Sequence, residues 1–169
     1  IHTVHFVYET EEQIYTGLRI KSLYTVYLVT EGTGKLLTQG EVFSLEEGDV
    51  FFSFPAVPFA IESVSDFKYM YISFLGARGN RIMEKLGICA KSPLYPDCRE
   101  LTAIWAQGLR SPAQLSDIAS EAVLLHTFAY LGGRLAKFAS RDRQGVNLVS
   151  AIQKYVDEHL QKLTGDRNL

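Results

Sequence analysis

Apolar and polar positions alternate with a period of two through the first 75 residues, and the period lengthens to about 3.6 after Gly76. The first part therefore reads as strands and the second as helices. Apolar, aromatic and β-branched runs in the first part are short, separated by Gly17, Gly32-Thr33-Gly34, Gln39-Gly40, Glu47-Gly48 and Ser65-Asp66. Evenly spaced short strands of this kind predict a sandwich or small barrel. The segment from Gly48 to Phe59 is the most informative, because Gly48 supplies a tight turn and Val50-Phe51-Phe52-Ser53-Phe54 is a β-rich run. Pro55 and Pro58 then lack the N–H a ladder needs, so the strand must leave the sheet there. Thr38-Gln39-Gly40-Glu41 predicts a tight hairpin with Gly40 at positive φ.

Beyond Gly76, Ile82, Met83 and Leu86 mark a first helix, and Leu101, Ile104, Trp105 and Leu109 a second. Ser111-Pro112 opens the longest helix, expected to run to about Phe138. That helix carries two apolar stripes. Leu115, Ile118, Ala119, Ala122, His126, Ala129 and Tyr130 form one; Leu124, Phe128, Leu131 and Leu135 form the other. One helix in a monomer rarely has two surfaces to bury, so one stripe is expected inside the subunit, and Leu124, Phe128, Leu131 and Leu135 are assigned to a homodimer interface. A helix sunk wholly in its own small domain is the alternative. Ser140 to Gly145 reads as a polar linker, followed by a helix capped by Asn147 with Val149, Ile152, Val156, Leu160 and Leu163 on one face. The expected divisions are residues 1–76, 77–140 and 141–169.

Composition narrows the function. The net charge of −2 leaves no basic face for a nucleic-acid backbone, so these residues alone are expected to bind DNA poorly. No apolar run approaches the ~18 residues of a membrane span. Two cysteines, Cys89 and Cys98, are too few for a disulfide framework and have no zinc spacing, which fits a reducing cytoplasm. The chain opens on Ile1 without a leader pattern, so a trimmed chain is expected.

The Gly48-Asp49 turn, strand and proline corner resemble the second half of a cupin motif, and Leu23 to Gly34, ending Glu31-Gly32-Thr33-Gly34, resembles the strand and turn of its first half. The resemblance implies an α+β chain: a cupin-like β-barrel, or double-stranded β-helix, followed by a helical dimerisation subdomain. Metal-binding cupins place histidines and a glutamate where Arg19, Lys21, Thr25 and Phe59 fall here, so no metal and no cofactor are expected. The order barrel, helical pair, long helix, polar break and final amphipathic helix resembles the N-terminal half of AraC-type transcription regulators, Ala151 to His159 being similar to the opening helix of their helix-turn-helix domain. That likeness implies a small-molecule effector, taken as a sugar or organic acid, a homodimer, and DNA contact only through a C-terminal domain absent from this sequence.

Alternation supplies the candidate site. With Thr25 pointing inward, Leu23, Tyr27 and Val29 share its direction, Phe59 and Ile61 line the opposing strand, and Tyr69, Tyr71 and Ser73 point in from the last strand. Arg19 and Lys21 share a face, and an unpaired buried charge is costly, so they are expected to meet a ligand carboxylate or hydroxyls, or else to sit solvated at the barrel mouth. The effector-binding set is thus Arg19, Thr25, Tyr27, Phe59, Ile61, Tyr69, Tyr71 and Ser73. The histidines are scattered, no nucleophile elbow or phosphate loop is present, and the chain is expected not to be an enzyme. A stand-alone cupin enzyme or isomerase is the alternative, and a dimerisation module with a filled barrel is a third reading.

Overall fold

A computed structural model of the chain describes the backbone of residues 1–165 and the side chains of residues 1–136 and 154–158. Six strands form one antiparallel sheet in the order β1-β5-β2-β4-β6, with β3 paired to β2: β1 is His2–Glu9, β2 Tyr24–Thr38, β3 Glu41–Glu46, β4 Val50–Ser53, β5 Phe59–Leu75 and β6 Leu94–Tyr95. Helices α1 (Ala77–Leu86), α2 (Thr102–Leu109) and α3 (Ser116–Gly165) complete the chain.

The barrel is made by bending its two long strands. β2 and β5 pair from Tyr24↔Phe74 to Thr38↔Phe59, with register shifts between Val29 and Gly34 where the ladder turns the corner. Glycine is required there: Gly32 has φ +71°, and a Cβ on it would run into the backbone of Ser65 and Asp66. The expected strand ending at Gly32-Thr33-Gly34 is therefore one strand continuing through a corner. Gln39 (φ 55°) and Gly40 (φ 72°) form the two-residue loop of the β2–β3 hairpin, with Thr38 opposite Glu41, as the sequence pattern predicts. Gly48 takes φ 90° at its turn, and the buried Asp49 carboxylate fixes that turn, accepting from the Glu46 amide at 2.9 Å and the Asp97 amide at 3.4 Å. Burial pushes the Asp49 carboxyl up, against the pull of these two amides.

The sheet is apolar on both faces. Inward, Tyr27, Val29, Leu36, Leu45, Phe51, Phe59, Ile61, Phe67 and Tyr69 form one core. Outward, Val26, Leu28, Val50, Phe52, Met70, Ile72 and Phe74 form a second with Trp105, Val123, Leu124, Phe128 and Leu131. Phe128 stacks on Phe52 at 6.5 Å and meets Phe74 edge-on at 5.7 Å, while Trp105 donates its indole N–H to Thr127 at 2.9 Å and packs edge-on to Phe6 at 5.7 Å. Each such buried apolar side chain contributes roughly 1.5–3 kcal/mol.

This second core corrects two expectations. Leu124, Phe128 and Leu131, assigned from sequence to a homodimer interface, are 0%, 3% and 1% exposed and belong to the subunit's own core, because the outer face of the sheet is as apolar as the inner one. Leu135, the fourth of that set, lies in the second compact unit. The two units are residues 1–131 and 132–169, so the division expected after residue 76 falls inside the first, where strands and helices share a core. The polar break expected at Ser140 to Gly145 is also absent: the backbone is helical from Ser116 to Gly165, which costs only about 1 kcal/mol at Gly145. The stripe on Val149, Ile152, Leu160 and Leu163 lies outside the side chains described.

Candidate ligand-binding site

Antiparallel register places four polar residues in one row across the inner face of the sheet. His5 pairs with Ser73, Ser73 with Thr25, and Thr25 with Ser53, so β1, β5, β2 and β4 each give one hydrogen-bonding side chain to the same face. Thr25, Ser53 and Ser73 are buried, His5 exposed. The Thr25 and Ser73 hydroxyls lie 3.0 Å apart, and the Tyr27 hydroxyl lies 3.0 Å from Ser53 Oγ. The next row is Val7, Tyr71, Tyr27 and Phe51, and the one after it Glu9, Tyr69 and Val29.

Below the hydroxyl row the rings pack on one another. Tyr27 stacks on Phe51 at 4.4 Å and meets Tyr69 at 5.6 Å and Tyr71 at 6.0 Å, and Phe67 lies 5.3 Å from Tyr69. Burial pushes the Tyr27 hydroxyl up to about 12, outweighing its hydrogen bond with Ser53, and pushes Tyr69 up further. Ile61 is buried in the same cluster on the facing strand.

The segment between β1 and β2 carries the cations. Arg19 bridges to Phe59 through both backbone bonds, N to O at 2.7 Å and O to N at 2.9 Å, while the Lys21 carbonyl accepts from the Ala56 amide at 3.0 Å. These bonds hold the segment at the proline corner and place the Lys21 ammonium 5.4 Å from the ring centre of Tyr71, 5.7 Å from Phe59 and 5.9 Å from Tyr27. Burial, with the Arg19 charge nearby, holds the Lys21 amine below its ordinary value. Arg19 is exposed, yet its charge also bears on Tyr27 and Tyr69.

The structure thus gathers Thr25, Tyr27, Phe59, Ile61, Tyr69, Tyr71 and Ser73 on one interior, with Arg19 at its edge. Sequence reasoning missed Ser53, His5 and Glu9. Ser53 follows Phe51 by two in a strand the pattern identified; His5 and Glu9 are set only by the pairing of β1 with β5. His126, in the first apolar stripe read from the sequence, is exposed on α3 of the single chain. A separate groove of about 490 Å³, bounded by Leu45, Val64, Leu94 and Pro96 among others, contains none of the expected site residues. Among the described residues, no group of three or more His, Cys, Asp or Glu is placed to hold a metal ion, and no helix is long and apolar enough to cross a membrane.

A family model for the AraC-like ligand binding domain matches residues 5–148, from within β1 into α3. The chain belongs to that family. No curated protein matches it. Solved structures similar to this AraC-like domain include a predicted oxalate decarboxylase from Thermotoga maritima, with 18% identity, TM-score 0.40, and coverage of 44% of this chain and 69% of that one. A cupin protein from Bacteroides fragilis matches with 19% identity and TM-score 0.36 over 43% and 64% of the two chains. A salicylate 1,2-dioxygenase from Pseudaminobacter salicylatoxidans matches with 29% identity and TM-score 0.34 over 49% and 22%. The chain thus spans about a fifth of the dioxygenase. The expectation that this chain is not an enzyme is corrected: the solved structures it is similar to include a predicted oxalate decarboxylase and a salicylate 1,2-dioxygenase.

Proposed function

We propose that this chain is the effector-binding and dimerising half of an AraC-type transcription regulator of the cytoplasm, acting on a helix-turn-helix domain outside this sequence. The observation that carries the reading is the row His5, Ser73, Thr25 and Ser53 beside the rings of Tyr27 and Tyr71, with Lys21 and Arg19 at its edge: a few convergent polar groups on an apolar floor are the make-up of a small-molecule site. A sugar or an organic acid fits that composition.

Coupling requires an effector to prefer one arrangement of the elements it touches. β1 is the natural transmitter, since its inner face bears His5 and Glu9 and its outer face packs Phe6 on Trp105, which is bonded to Thr127 of α3. Dimerisation is assigned to the stripe that the subunit leaves open on α3 and the turn just before it, with Leu115 of that turn 51% exposed, Ile118 of α3 63% exposed, and Ala122 and Ala129 also outward.

A thermal-shift screen of sugars and organic acids tests the reading. An effector at 100 times its dissociation constant adds ~2.7 kcal/mol of stability. The combined variant Tyr27→Ala, Tyr71→Ala is expected to lose the response. A stabiliser that acts equally on this variant would remove the barrel from the proposal.

A further inference from the structure

We infer that the effector is an organic anion, a small carboxylic acid whose carboxylate is received by Lys21 and Arg19 and whose apolar body lies against Tyr71. The inference rests on the barrel site proposed above and names its ligand class. Two cations two residues apart are tethered to the barrel at Phe59 and Ala56, and among the described residues neither is in an ion pair. The Lys21 ammonium is instead faced by three rings at 5.4 to 5.9 Å. A ring face is a weak substitute for a counter-ion, since cation–π attraction at a partly open site is far smaller than a charge-assisted hydrogen bond to a carboxylate. With three rings beside it and no described carboxylate within ion-pair distance, the Lys21 ammonium keeps its charge-assisted hydrogen bonds for an anion.

The hydroxyl row extends the same chemistry. Thr25, Ser73 and Ser53 already satisfy one another or Tyr27, so they need no ligand, yet each hydroxyl retains acceptor or donor capacity for a second polar group on an acid. Recognition of a neutral polyol calls for carboxylate or amide acceptors placed to take its O–H protons. Among the described residues, the register puts the acidic Glu9 on this face, one row beyond Tyr71 and already accepting from the Glu11 amide at 3.0 Å. Net charge at the seat therefore favours an acid over a sugar. Lys21, on a flexible stem, is free to exchange ring contacts for the carboxylate, and the departing ammonium uncovers the Tyr71 face for the body of the ligand.

The test compares acids with their uncharged amides on the full chain by calorimetry: benzoate against benzamide, cinnamate against cinnamamide, hexanoate against hexanamide, with a sugar panel alongside. At least one acid is expected to bind about tenfold or more tightly than its amide, the difference between a charge-assisted and a neutral hydrogen bond. Lys21→Gln with Arg19→Gln is expected to bring the acid down to the amide's affinity, and Lys21→Arg to restore most of it. Equal binding of acid and amide, or acid binding unchanged in the double variant, overturns the anion assignment and leaves the sensor reading standing. Binding of a sugar, but of no acid, has the same effect. Failure of all three panels to bind the wild-type chain overturns both.

Discussion

Thr25 and Ser73 face each other across β2 and β5, and their hydroxyl oxygens lie 3.0 Å apart in a buried pair. Replacing one hydroxyl leaves its partner short of a bond, whereas replacing both removes the need for one. Thr25→Val and Ser73→Ala are each expected to cost ~1–3 kcal/mol, and the double variant clearly less than their sum. Urea titration of the four proteins measures the coupling. Additive losses would mean that the two hydroxyls do not depend on each other.

The strands, hairpin and inner-facing tyrosines were legible because each is written locally: Gln39-Gly40 demands positive φ, and Tyr27, Tyr69 and Tyr71 follow from alternation alone. The corner at Gly32 was not, because a strand that bends through register shifts looks in sequence like a strand that stops. His5 and Glu9 were invisible for a different reason: their direction is set by pairing with residues more than fifty positions away. The two stripes of α3 were both readable, but choosing the buried one required knowing that Val26, Leu28, Val50, Phe52, Ile72 and Phe74 make the sheet's outer face apolar.

Alkaline pH is expected to unfold the chain through its buried phenols. Burial pushes Tyr27 and Tyr95 to about 12 and Tyr69 higher, against about 10 in the unfolded chain. Above pH 10 the unfolded chain gives up protons the folded chain keeps, so stability, complete below pH 10, falls as pH rises toward 12. For Tyr27 the loss is on the order of 3 kcal/mol. Lys21 opposes this just below 10.5, since its folded amine deprotonates first and the unfolded chain there holds more protons. Urea midpoints at several pH values, with tyrosinate absorbance, check the sign. Stability that keeps rising past pH 11 would contradict it.

Trp105 and Thr127 link α2 to α3 at the fully buried indole. Thr127→Val keeps the shape and removes the acceptor, leaving the Nε1 proton without its partner, at an expected ~1–3 kcal/mol. Thr127→Ser keeps the hydroxyl and should recover most of the loss. Thermal melts of the two variants distinguish this bond from simple packing.

The stripes of α3 separate folding from association. Leu124 is fully buried against the sheet, so Leu124→Ala is expected to cost ~2–5 kcal/mol, and Leu124→Asp with Leu131→Asp to unfold the subunit because two carboxylates would enter an apolar core. Ile118, 63% exposed, makes no such demand, and Ile118→Glu with Leu115→Glu should leave the melting temperature of the isolated subunit nearly unchanged while converting dimers to monomers by light scattering. A folded dimer that survives both glutamates would place association elsewhere on the surface. A folded monomer from the Leu124→Asp, Leu131→Asp chain would mean that the stripe facing the sheet is the one that joins two subunits.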